Sequence, residues 1–238
     1  MLSTTHARKI TLMTFESQST IEEQTMDEQS TQEAKAKRSF RVFGGLGVIM
    51  TIYVILAVTA ALFYPNGYSP LTKTLSQLGN SKFNPAGAIF YNAGVFLVSG
   101  STIFLATALL ILPKQWLTPR GGSRRTMFYL SVSAMVLFGL FLFLTALFPA
   151  DANDALNVLF TLVFLVCLEL FIVFSSLGIR RMKDHILWLP PFGFFVSIAN
   201  LLFVAAFVVM GYAIFSWVSS IITWSYMLAF VYEFSYVE

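Results

Sequence analysis

The sequence predicts an all-α fold: a polytopic integral membrane bundle of six transmembrane helices with both termini cytoplasmic. Three observations carry this. The 238-residue chain is 57% hydrophobic and 11% charged, with a mean hydropathy of +0.74; a soluble domain is ~25% charged. Six apolar stretches approach or exceed the ~20 residues needed to cross hydrocarbon. Basic residues also collect on alternate loops, as orientation in a membrane requires.

Residues 1–38 are of a different kind. They are rich in Ser, Thr, Gln and Glu. Such a segment buries too little apolar surface to offset the entropy of ordering, so it is expected as a disordered cytoplasmic tail. It lacks the apolar core and small-residue cleavage site of a signal peptide. The transmembrane domain is expected over 39–238.

The first span is expected over about 40–64, ending at the turn Pro65-Asn66-Gly67. A polar loop, 68–85, follows. Within it Thr72–Leu78 has helical spacing, with Leu71, Leu75 and Leu78 on one side. The second span covers about 86–112 and stops at Pro113. The third covers about 127–148 and stops at Pro149. A short acidic loop with Asp151 and Asp154 leads into the fourth, about 156–179. The fifth and sixth, about 192–212 and 215–236, are joined by so short a link that a tight antiparallel hairpin is expected.

Six spans put both termini on one side. With a cytoplasmic N-terminus the inner flanks hold Lys35, Lys37, Arg38, Arg41, Lys114, Arg120, Arg124, Arg125, Arg180, Arg181 and Lys183. The outer loops hold Lys73 and Lys82. Eleven against two sets the orientation, in a cell membrane. The basic residues are not interleaved with aromatics as in a nucleic-acid interface. Membrane lipids, and not nucleic acid, are therefore the expected partners. The lone Cys167 lies in an apolar run and excludes an internal disulfide.

Two groups of residues could carry function. Glu169 lies near the middle of the fourth span, and Asn200 sits at similar depth in the fifth. Ser101 and Thr102 in the second span are comparable. A carboxylate at that depth costs roughly 2.5–3.5 kcal/mol on insertion scales, so it should face the bundle and be neutral or paired. It would either relay protons or bind a polar group, or else hold helices together by hydrogen bonds.

The second group belongs to the outer loops. The first loop and the start of its helix supply Ser69, Thr72, Thr74, Ser76, Gln77, Asn80, Asn84 and Asn92. The other supplies Asp151, Asn153, Asp154 and Asn157. These would either cap a shallow pocket for a lipid headgroup, or close helix ends with their side chains. Negative charge at Asp151 and Asp154 suits the start of the fourth helix. The two histidines, His6 and His185, are both assigned to the cytoplasmic side, so neither a metal site nor a serine–histidine pair at Ser76 is expected. There is no phosphate-cradling glycine loop and no zinc-ligand spacing, so no cofactor is expected.

Two stretches carry a family resemblance. SPLTKTLSQLGNSKFNPAGAIFYNAGVFLVSG resembles the hallmark of the membrane family catalogued as domain of unknown function 998, through Leu75, Ser76, Leu78, Gly79, Pro85, Asn92, Gly94 and Gly100. ALFPADANDALNVLFTLVFL resembles that family's second signature through Phe148, Pro149 and Asp151. Many members carry a histidine at the start of the fourth helix, where this chain has Asn157 nearby. A more distant likeness is to the Frag/DRAM group of six-helix proteins, some of them linked to lipid remodelling. The expected function is non-enzymatic: binding or sensing lipid through the outer loop layer. The alternative is a small-solute transporter or lipid-modifying enzyme using a polar midplane site around Glu169.

Overall fold

Pro190, in the first turn of one helix, and Gly211, with a φ of +71° just past its end, bracket the clearest span of the chain. Proline is tolerated where the helix has no N–H partner to lose, and glycine takes the left-handed cap without strain. The same logic of local stops divides the rest. The computed structural model describes residues 44–45, 47–111, 122–180 and 187–236. The expected tail, the first residues of the first span and most of the two basic loops lie outside the described residues.

Seven helices, and no strand, form among the described residues. They are α1 (Gly47–Leu62), α2 (Leu75–Leu78), α3 (Ala88–Ile111), α4 (Gly122–Leu147), α5 (Asp154–Ile179), α6 (Leu189–Met210) and α7 (Ile214–Tyr236). Five of them, α3 to α7, are long and apolar enough to cross a membrane. The chain is a multi-pass membrane protein. α1 is apolar but shorter over its described part.

Local chemistry explains two departures from the expected bounds. α5 starts at Asp154 because Asn153 caps it: its Oδ1 accepts the Leu156 N–H at 3.1 Å. The loop helix is a single turn, not the expected Thr72–Leu78. The Lys73 carbonyl, which a longer helix would give to the Gln77 N–H, instead accepts the Tyr68 hydroxyl at 2.9 Å and Trp217 Nε1 at 3.3 Å. The Gln77 N–H turns to the Thr74 carbonyl at 3.2 Å. Leu75 and Leu78 therefore pack inward, while Leu71 is left exposed.

The long helices stand in a ring. α3 packs on α4, α4 on α5, α5 on α6 and α6 on α7. α1 closes the ring, with Tyr53 against Tyr91 of α3 and Trp224 of α7. At the end away from the 68–85 loop, the ring is filled. Tyr226 is fully buried among Phe171, Phe192 and Phe230, and its hydroxyl bonds Ser175 at 2.6 Å and Ser176 at 2.9 Å. At the loop end the packing is different. Every buried residue of α5 lies between Cys167 and Ile179. Every buried residue of α6 lies between Leu189 and Asn200. The halves of these helices nearer the loops leave a space.

Candidate functional site

The loop layer is held by side chains that replace missing backbone bonds. Asn84 is completely buried. Its Nδ2 donates to the Ala60 carbonyl at 2.9 Å and the Leu78 carbonyl at 3.0 Å, and its Oδ1 accepts the Gly87 N–H at 3.1 Å. One residue thus ties the end of α1, the end of α2 and the approach to α3. Tyr68 is a second tie. Its hydroxyl shares its one proton between the carbonyls of Lys73 and Thr74, and accepts from Trp217 Nε1 of α7 at 3.0 Å. Burial pushes that hydroxyl up to about 12, which keeps it a donor at ordinary pH. Ser81 donates to Asp151, joining the two loops.

Beneath this layer is a cavity of about 360 Å³. Its mouth holds Thr74, Ser76 and Gly79 from one loop with Asn92 of α3, and Pro149 and Ala150 from the other with Asn157 of α5. Its depth reaches Val98, Phe138, Leu168 and Met227. From Ser216 to Met227 along α7 that is ~16 Å at 1.5 Å per residue. The far wall is α6, through Phe203, Val204 and Phe207. Down one side runs a stripe of hydroxyls on α7: Ser216, Ser219, Ser220 and Thr223.

Behind that stripe lies the midplane set. Ser197 Oγ donates to Glu169 Oε2 at 2.6 Å, and Asn200 Nδ2 donates to Glu169 Oε1 at 3.0 Å. Asn200 also donates to Thr223 Oγ1 at 2.9 Å and accepts from Ser219 Oγ at 2.8 Å. Glu169 itself is not on the cavity wall; Asn200 stands between it and the two wall hydroxyls. Ser101 and Thr102 take no part. Their hydroxyls donate to carbonyls of their own helix, Leu97 at 2.7 Å and Val98 at 2.9 Å.

The expected residues thus divide. Ser76, Asn92 and Asn157 meet at the cavity mouth. Glu169 and Asn200 meet each other. Gln77, Asn80 and Asp151 stay in the loop layer off the cavity wall; Asn80 is buried and its Oδ1 accepts the Lys82 N–H at 2.9 Å. Asn157 has structural work as well, donating to the carbonyls of Thr145 at 3.1 Å and Phe148 at 2.9 Å at the end of α4. Sequence reading missed the α7 stripe. Its spacing of i, i+3, i+4 and i+7 in an apolar helix was the available signal.

The two stretches that carry the sequence resemblance converge on one cavity mouth. A family model described as "Protein of unknown function (DUF998)" matches residues 46–232. The chain belongs to this family. No curated protein and no solved structure matches the chain. The more distant Frag/DRAM likeness is not shown by these comparisons. In this DUF998 chain the first signature has a physical reason. Asn92 Nδ2 donates to the Gly79 carbonyl at 3.0 Å, and a Cβ on Gly79 would meet Tyr91 Cδ1 at 2.7 Å. Gly79 must be small for α2 to seat on α3. The second DUF998 signature supplies Phe148, whose carbonyl accepts from Asn157 of α5, and Pro149, which lines the mouth.

Proposed function

We propose that this DUF998 protein is a six-span protein of the cell membrane, with both termini cytoplasmic, that binds or senses a lipid beneath its outer loop layer and performs no chemistry on it. The observation that carries this is the cavity: polar at the mouth, apolar at depth, and at the lower end of the ~300–1,000 Å³ range of small-molecule pockets. Native mass spectrometry of the chain released from mild detergent tests it. A retained lipid is expected, and its loss in an Asn92→Leu, Asn157→Leu double variant that still folds. Protein that carries no lipid from any membrane would overturn the reading.

The orientation rests on the eleven-to-two distribution of basic residues. In a Cys167→Ala background, Lys82→Cys, at an exposed position of the first loop, should be labelled by an impermeant thiol reagent in intact cells. A cysteine at Gly122 should be labelled only after permeabilisation. The opposite pattern reverses the orientation.

The alternative, a transporter or lipid-modifying enzyme, needs Glu169 to meet its substrate. Its separation from the cavity by Asn200 supports the structural role instead. Glu169→Gln can keep both contacts, its Nε2 donating to Ser197 and its Oε1 accepting from Asn200. It should therefore match wild type in stability and lipid retention. Glu169→Leu should lose about 1–2 kcal/mol, as membrane hydrogen bonds are modest. A stable Gln variant lacking a wild-type activity would favour the alternative.

A further inference from the structure

We infer that the occupant is a neutral, single-chain amphiphile with a hydroxyl head, admitted sideways from the outer leaflet between the loop-end halves of α5 and α6. This rests on the lipid-binding reading above and names its ligand class and route.

The first argument is the hydrogen-bond state of the wall. Ser216 Oγ donates to the Ala213 carbonyl at 2.7 Å, and Ser220 Oγ to the Ser216 carbonyl at 2.8 Å. Ser219 Oγ donates to Asn200 at 2.8 Å. Thr145 Oγ1 donates to the Leu142 carbonyl at 2.7 Å. Each hydroxyl has one proton, and each of these is already committed. Both amide protons of Asn157 are committed too, to Thr145 and Phe148. What these side chains can still offer is lone pairs. Thr223, which accepts from Asn200, keeps a proton of its own, so a ligand matching this wall must donate to most of it and accept at Thr223. A hydroxyl does so; an ester, a phosphate or a carboxylate only accepts.

The second argument is charge. No residue of the cavity wall is acidic or basic. Lys73, at this end of the bundle, lies over the Tyr64 ring at 5.8 Å and not on the wall. A charged head would be desolvated with no partner, which is costly. An ammonium could donate, but it would find no carboxylate. The neutral hydroxyl is what remains.

The third argument is the route. α5 and α6 are clasped by Glu169, Ser197 and Asn200. On the loop side of Cys167 in α5 and of Asn200 in α6, neither helix has a buried residue. Val204 and Phe207 line the cavity and yet are 41% and 36% exposed. The cavity therefore reaches the lipid-facing surface at this point. α6 is braced there by α7, where Phe203 stacks on Phe215 with ring centroids 6.1 Å apart.

Trp224 lies on the cavity wall and supplies the readout. The full chain is reconstituted in phosphatidylcholine vesicles, and three bromine-labelled probes of equal chain length are added: a long-chain alcohol, its methyl ether and the fatty acid. Quenching is measured as the difference between wild type and Trp224→Phe. The alcohol should quench saturably, with the ether and the acid about tenfold weaker. Val204→Phe should slow the onset of quenching by the alcohol about tenfold. Its thermal stability, followed through the Cys167 thiol, should not change, because the site faces lipid. Equal quenching by all three probes would overturn the hydroxyl assignment and leave lipid binding standing. An unchanged onset in Val204→Phe would overturn the lateral route. Quenching by none, with no lipid retained in the mass spectrum, would overturn both this inference and the function it rests on.

Discussion

Asn84→Ala lowers the melting temperature of the detergent-solubilised chain by roughly 6–12 °C, taking ~2–4 °C per kcal/mol for a chain of this size. The substitution removes the partner of three buried backbone groups: the carbonyls of Ala60 and Leu78 and the N–H of Gly87. Leaving a buried polar group unmet costs about 1–3 kcal/mol, so a net loss of ~3 kcal/mol is a modest expectation. Asn84→Asp separates this from a simple loss of volume. It keeps the shape and the bond to Gly87, but turns an acceptor towards the two carbonyls. It should be no more stable than the alanine variant. Cys167 is buried and the only cysteine, so a thiol-reactive dye reports the melting directly. An Asp variant as stable as wild type would show that the amide donor is not what holds the loop layer.

Gly193→Ala has an effect of similar size at the other end of the bundle. A Cβ there would collide with Ser176 Oγ and meet Tyr226 Cε2 at 2.7 Å. Neither neighbour yields easily. Ser176 Oγ donates to the Ile172 carbonyl at 2.7 Å and bonds the Tyr226 hydroxyl. Tyr226 is enclosed by three other rings. Overpacking of this kind costs about 1–3 kcal/mol. Ser176→Ala removes the atom in closest conflict, so the double variant should recover part of the loss. Additive effects in that cycle would mean the strain lies elsewhere. The same melting assay reads it. Lipid retention at the loop end should survive in the folded fraction, because the cavity lies on the far side of the Glu169 clasp.

Much of the frame was legible beforehand because its signals are local. Pro149 stops a span in any context, and Gly211 caps α6 wherever that helix sits. Glu169 and Asn200 could be matched by depth, since two antiparallel spans of similar length bring equal depths together. Their partners were harder. Ser197 is one turn from Asn200, but nothing along the chain says that Ser219 and Thr223 of α7 face the same point. The loop helix was overextended because Tyr68 and Trp217, 149 residues apart, compete for the carbonyl that would have continued it.

The amino-acid sequence by itself determined the membrane environment, the helices and the family. Each follows from composition, local stops or short motifs, and none depends on which helix meets which. Only the tertiary structure decided where the cavity lies. The loop-end halves of α5 and α6 are as apolar as the halves that pack tightly. In a bilayer, lipid is as apolar as the protein core, so hydropathy does not distinguish a lipid-facing side chain from one facing a neighbour. Which halves close and which stand apart depends on a clasp of polar side chains from different helices, and that exists only once the helices are assembled.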